Sequence, residues 1–305
     1  MKKFWSNLGT GKKVGLVVLA VILLGVVIAV LVPSEGKNDA FKPQDEFRLE
    51  PWISLKIGGI DMSINKAVLY LFLAALLTTV MMIWVARKME EKPNRVQTAV
   101  EAAYDLTNNN ITRGNMDSKM AAKWFPVVAT LFFFIWFSNM IGYLPLPTSH
   151  EKVHIFGLEV PSLALYAATA NLSVPLVLTL VVWISYHIEG VRAQGFRGYL
   201  ASWVPAGVEG AARIPIFLIE TISHFVRIIS LSVRLFANIL AGHLLILFMA
   251  GGLVVLLGFA ALGVFTVPLA IAFFIFEVGL VATLQAFIFA TLTSIYLGGA
   301  TAAHH

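Results

Sequence analysis

From Ile214 to Phe259 the chain stays apolar for longer than one upright membrane crossing requires, and Leu262–Leu297 does so again after a short break. A transmembrane helix needs roughly 20 predominantly apolar residues. The first stretch is therefore predicted to be steeply tilted or broken, with Gly242, Gly251 and Gly252 as candidate breaks. Four shorter apolar segments precede it: Val14–Val32, Ala67–Ala86, Trp124–Leu144 and Leu163–Tyr186. Mean hydropathy is +0.83 and only 13% of residues are charged, against about a quarter in soluble domains. The fold class is all-α, a polytopic membrane protein with about six membrane helices.

The same composition excludes several kinds of chemistry. There is no cysteine, hence no disulfide and no thiolate metal site. There is no P-loop, no HExxH and no dinucleotide-binding glycine pattern, so no cofactor is expected and nucleotide chemistry belongs to another chain. A pI near 9.4 and a net charge of +5 could suggest nucleic acid. In a membrane chain the excess instead marks cytoplasmic loops, and no nucleic-acid partner is expected.

Counting Lys and Arg on alternate sides gives the orientation. Lys2, Lys3, Lys12, Lys13, Arg87, Lys88, Lys92, Arg95, Arg113, Lys119, Lys123, Arg192, Arg197 and Arg213 share one side. Lys37, Lys42, Arg48, Lys56, Lys66 and Lys152 share the other. Fourteen against six makes the first side cytoplasmic. Both termini are then cytoplasmic if every segment spans. The first segment has the basic start and apolar middle of a signal peptide, but its apolar run is long and "VPSEG" is a poor cleavage site. Residues 1–33 are read as a signal anchor and 34–305 as the membrane domain. Along Arg95–Ile111, Val96, Ala99, Val100, Ala103 and Leu106 recur at helical spacing among charges. This is an amphipathic helix on the cytoplasmic membrane surface, or alternatively an ordinary loop helix. The "NIT" at Asn110 matches a glycosylation pattern by chance on a cytoplasmic loop. No internal repeat is visible, against a transporter built from inverted repeats.

Ionisable groups inside a membrane face a bundle interior, a water-filled cavity or a partner. The fifth stretch carries five: Glu220, His224, Arg227, Arg234 and His243. On a helical wheel with Arg234 at the origin, Arg227 falls at roughly 20°, Glu220 and Asn238 at roughly 40°, His224 at roughly 80° and His243 at roughly 180°. Glu220, His224 and Arg227 are spaced to satisfy one another. Arg234 has no acid one turn away, so its counter-charge must come from another helix or chain. Arginine keeps its proton, which rules out a relay role. In the sixth stretch Glu277 and Gln285 lie roughly 80° apart and can face one neighbour. Asn139 lies toward the outer end of the third segment, either on a proton route or bonding between helices. Asn171 and Ser173 have the same two readings, and Pro175 is expected to kink its helix.

These residues carry a resemblance to subunit a of the F-type ATP synthase, the stationary half of its membrane proton channel. Its pattern around an essential arginine is matched by Ser230, Arg234, Leu235, Asn238, Ala241, Gly242 and His243. Its last helix is matched by Gln285, Ala286, Phe287, Phe289 and Tyr296, and Glu220 falls at a family acidic position. The match is most specific from Ile214 to the C-terminus. There are two departures. Gly142 stands where some members have an acid. The family's acid or histidine sits seven residues before the glutamine, at Val278 here, whereas this chain has Glu277.

The resemblance implies a long tilted C-terminal helix hairpin beside a c-subunit ring, and a multi-pass protein of the bacterial plasma (inner) membrane. It implies b subunits of the peripheral stalk, other ATP synthase subunits and the lipid bilayer as further partners. It implies two offset half-channels. One would run from outside through Asn139, Glu277, Gln285 and His243. The other would reach the cytoplasm past Glu220, His224 and Ser230. Arg234 would stand between them and hold each arriving ring carboxylate ionised. His243 and Glu277 are expected to pair across an antiparallel hairpin that turns near Phe259–Leu262. The alternatives are a stand-alone proton-coupled channel or transporter, and a non-transporting membrane assembly protein. Co-purification with a proteolipid ring excludes both.

The basic bias predicts that a cysteine introduced at Ser63 is labelled by an impermeant maleimide from outside, and one at Ser118 is not. The reverse pattern overturns the orientation.

Overall fold

A computed structural model describes residues 27, 47–57, 60–87, 94–155, 158–205, 207–208, 210–252 and 262–301. The helices are α1 (Lys66–Arg87), α2 (Arg95–Asp105), α3 (Ser118–Gly142), α4 (Ser173–Ala201), α5 (Arg213–Leu247), α6 (Gly263–Phe276) and α7 (Ala282–Thr301). Three π-helical segments extend them: Leu106–Arg113 after α2, Phe248–Gly252 after α5, and Glu277–Val281 joining α6 to α7. Among the described residues, five helical stretches are long and apolar enough to cross a membrane: Lys66–Trp84, Ser118–Gly142, Ser173–Ala201, Gly210–Gly252 and Gly263–Thr301. The segment expected at Val14–Val32 lies, apart from Val27, outside the described residues, as does most of the turn expected near Phe259–Leu262.

Short polar side chains start the helices. Asn65 accepts a hydrogen bond from the Val68 amide, Asn94 from that of Gln97, Asp117 from those of Lys119 and Met120, and Asn171 from that of Ser173. Such a cap contributes about 1 kcal/mol, by satisfying an amide that has no partner inside the helix. Asn171 therefore acts at the start of its own helix instead of bonding across helices.

The fourth span departs from expectation. Its helix begins at Ser173, not Leu163, and runs on to Ala201. The apolar residues before it are used otherwise: β4 (Leu158–Ala164) pairs antiparallel with β3 (Leu146–Ile155), and Ala168–Ala170 form a 3₁₀ turn. Pro175 lies in the first turn of α4, where the missing N–H would have had no intrahelical partner, so it does not kink the helix. The kink is at Gly195, whose φ of 73° lies in the left-handed region open to glycine. The chain folds back there, and the Tyr199 ring lies against Gly190, where a Cβ would overlap it. A second small hairpin, β1 (Lys56–Ile57) with β2 (Ile60–Asp61), precedes α1.

The surface helix forms as expected; of its apolar face Val100 is buried, while Val96 and Ala99 stay exposed. Ile111 is buried as well, and Ser294 on α7 donates to the Ile111 carbonyl at 2.8 Å. The fifth stretch is continuous through Gly242, which is not a break. The helix changes only at Phe248–Gly252, where Gly251 and Gly252 lie. At Gly142 an added Cβ would meet Ala167, so an acid at that position has no room.

The chain divides into two compact units, one of Leu49–Leu240 with Val278–His305, the other of Met1–Arg48 with Ala241–Glu277. In the first, α3 is the hub, packing on α1, α7 and the π-helical segment after α2, while α7 also packs on α4. Trp136 on α3 donates to Thr283 on α7 at 3.1 Å. Lys123 on α3 meets Glu189 on α4 at 2.7 Å, and Arg192 reaches the same carboxylate at 3.1 Å. In the second unit, α6 packs on Phe248–Gly252.

Candidate functional site

The polar residues of α5 separate into two groups. In the first, Glu220 Oε1 accepts from Arg227 Nη2 at 3.0 Å, and His224 Nε2 lies 3.7 Å from the same oxygen. His224 is buried, with Tyr186 Oη 3.0 Å and Arg227 Nη1 3.4 Å from its Nδ1. A guanidinium can only donate. This arrangement therefore assigns Nδ1 as the acceptor and places the ring proton on Nε2, toward Glu220. The expected mutual pairing of Glu220, His224 and Arg227 is present.

The sequence did not point to the aromatic wall around this group. Trp183 donates to the His224 carbonyl at 3.0 Å, and the Trp203 ring lies 4.4 Å from that of His224. The Arg227 guanidinium sits 5.2 Å above the Tyr296 ring. His187 lies 5.0 Å from His224 by ring centroids. Gly195 makes the wall possible, because Trp183, Tyr186 and His187 precede the break and Tyr199 follows it. The available signal was Trp183, Tyr186 and His187 at helical spacing within one apolar span. Tyr186, Tyr199, Trp203, Glu220, Arg227 and Tyr296 line a cavity of about 460 Å³. That volume holds several waters, with polar groups to bind them.

The second group faces outward. Arg234 is exposed and reaches Ser230, with Nη2 to Oγ at 3.5 Å. Ser230 and Asn238 are exposed on the same side. Around them lies a bare apolar face that includes Ile222, Val226, Ile229 and Val233. Among the described residues no carboxylate pairs with Arg234. The stripe expected from the wheel is thus turned inward at His224 and outward at Arg234.

On α3, Asn139 is fully buried. It accepts from Thr169 at 2.7 Å and donates to the Ala282 carbonyl at 3.3 Å. It bonds between helices, which was one of its two sequence readings. Gln285 is buried on α7. In the other unit His243 and Glu277 are both buried, and the Glu277 carboxylate lies on the backbone of Gly242, where an added Cβ would overlap it. The acid of the sixth stretch thus packs beside the residue next to His243.

A family model described as ATP synthase A chain matches residues 68–298. The chain belongs to the ATP synthase A chain family. It is 36% identical over 251 residues to ATP synthase subunit a of Rubrobacter xylanophilus, covering 81% of this chain and 88% of that protein. It is 33% identical over 261 residues to ATP synthase subunit a of Rhizobium rhizogenes, covering 85% and 96%. Against the protein of that name from Paramagnetospirillum magneticum it is 32% identical over 264 residues, covering 86% and 99%. With five apolar helices among its described residues, the family member is a multi-pass membrane protein whose setting is ATP synthesis and proton transport.

Gly242→Ala is expected to destabilise the protein by about 1–3 kcal/mol, the usual cost of overpacking. Glu277→Asp in the same chain, shorter by one methylene, is expected to recover part of that loss. Thermal unfolding midpoints of the two single variants and the double variant decide, and strictly additive losses would separate the two positions.

Proposed function

We propose that the chain is the stationary proton-channel subunit of a rotary F-type ATP synthase, carrying protons to and from a ring of c subunits. The observation that carries this reading is Arg234. It is a permanent cation on an apolar helix face, and among the described residues no carboxylate of its own chain pairs with it. A charge so placed needs a partner that brings the opposite one. A c subunit with a carboxylate at membrane depth, moving past the face of Ile222, Val226, Ile229 and Val233, supplies it. Arg234 holds that carboxylate ionised while it passes, and its fixed charge repels protons that would cross directly.

On this reading Glu220 and His224, with the adjoining cavity, form the route to the cytoplasm, and Ser230 lies at its ring end. The ion-paired, aromatic-lined cavity supports it, since it combines proton acceptors with room for water. His243, Glu277, Gln285 and Asn139 form the route from outside, supported by the burial of all four in otherwise apolar segments. The two routes are offset, so a proton passes between them only by riding the ring. Each elementary charge that crosses about 100 mV releases about 2.3 kcal/mol, and rotation adds such steps together for ATP formation on other subunits. The peripheral-stalk b subunits hold the chain against rotation.

Arg234→Ala is expected to leave the complex assembled and to reduce ATP-driven acidification of inverted vesicles by about a hundredfold or more, as when an electrostatic stabiliser is removed from a reacting site. Arg234→Lys is expected to fail largely as well, because a compact, strongly hydrated ammonium does not replace a guanidinium. Normal acidification by the Arg234→Ala complex refutes the role.

A further inference from the structure

In a regular α-helix, residues three and seven places apart share a face. Glu277 would then stand in one row with Leu280 and Leu284. Those two leucines are 51% and 43% exposed, whereas Glu277 is 9% exposed. The local geometry accounts for the difference. Glu277–Val281 is a π-helical turn, and such a turn holds one residue more than an α-turn. Counted along the helix, the extra residue places Glu277 where a residue seven before Gln285 would otherwise be. The angle between them falls from roughly 80° to roughly 20°. Gln285, Ala286 and Phe289 form the buried row of α7, and by this residue count Glu277 falls in line with it. Val278, at which a regular helix would point inward, is only partly buried.

We propose that the π-turn Glu277–Val281 is a positioning device: it turns the Glu277 carboxylate off the outward row and onto the backbone of Gly242, beside His243. This inference rests on the proton-channel reading for its consequence and on local geometry for its substance. Gly242 supplies the matching surface, because any side chain there would occupy the carboxylate's place. Gly279 supplies the slack. It lies in the turn, and a Cβ there would meet nothing within 4 Å, so no packing depends on it.

Deleting Gly279 removes the extra residue and restores an α-turn without moving Glu277 off its bearing. The Glu277→Val/Val278→Glu exchange keeps the chain length and moves the carboxylate by one residue.

The test uses the assembled complex in inverted vesicles. The chain has no native cysteine, so pairs of introduced cysteines report bearing directly under mild oxidation. The Glu277→Cys/Gly242→Cys pair is expected to cross-link, with or without deletion of Gly279, and the Val278→Cys/Gly242→Cys pair is not. In parallel, the complex lacking Gly279 is expected to keep most of its ATP-driven acidification. The exchange is expected to lose about a hundredfold, the scale of a displaced acid–base group. Cross-linking through position 278 instead of 277 overturns the proposal, as does normal pumping by the exchange variant, or loss of pumping in an assembled complex lacking Gly279. If the shortened chain does not assemble, the exchange and the full-length cysteine pairs decide. Should the unmodified complex not pump at all, the proton-channel reading falls, while the cross-links still report the bearing of Glu277.

Discussion

The cost of removing a charge from water governs this molecule. An ion moved into a low-dielectric interior loses several kcal/mol even after relaxation, unless it is paired and hydrogen-bonded. The chain meets this cost differently at each charge. Glu220 and Arg227 satisfy each other directly, with Tyr296 beneath the guanidinium and a cavity beside it. Glu189 is buried but takes two cations, and Lys123 and Arg192 keep their own heads in water. Arg234 receives neither solution from the described residues of its own chain, which is why it points to a partner while Arg227, seven residues earlier, does not.

The scaffold makes these differences possible. One left-handed glycine reverses α4, and aromatic rings from both sides of the reversal then surround His224. Asn139 ties α3 to the start of α7 and to Thr169. Each is a local backbone event that fixes a polar side chain at a distance. A span that was only a uniform apolar cylinder would not hold a histidine in one tautomer or an asparagine in one hydrogen-bonded pose.

The spans were legible because hydropathy integrates over a whole helix: α1 and the α6–α7 stretch begin and end close to their apolar limits, α3 ends close to its limit, and α5 begins close to its own. The start of α4 was not. "LALYAATANL" is as apolar as a helix interior, but hydropathy does not record that its first residues pair as a strand. The β3–β4 hairpin was missed for the same reason. Within the site, spacing sufficed for Glu220, His224 and Arg227, whose contacts lie along one helix. It could not supply Tyr186, which comes from a different helix, or Trp203, which arrives through the fold-back at Gly195. The wheel for Glu277 and Gln285 assumed one uniform helix, and the π-turn between them invalidates that assumption. On the positioning proposed for the π-turn, the apparent one-residue displacement of the acid from its family position belongs to the sequence count and not to the bearing of the side chain.

A π-helical turn also has a genetic meaning. One codon added to a regular helix rotates everything beyond it by about 100°, so helices that carry function at both ends should rarely change length. A turn such as Glu277–Val281 confines that rotation to five residues. The segments on either side keep their neighbours while the reading frame between them drifts by a codon. Leu106–Arg113 and Phe248–Gly252 are also π-helical, but each follows a single α-helix and joins it to no second one among the described residues. At Glu277–Val281 a residue could have been gained or lost without either flanking helix changing the face it presents.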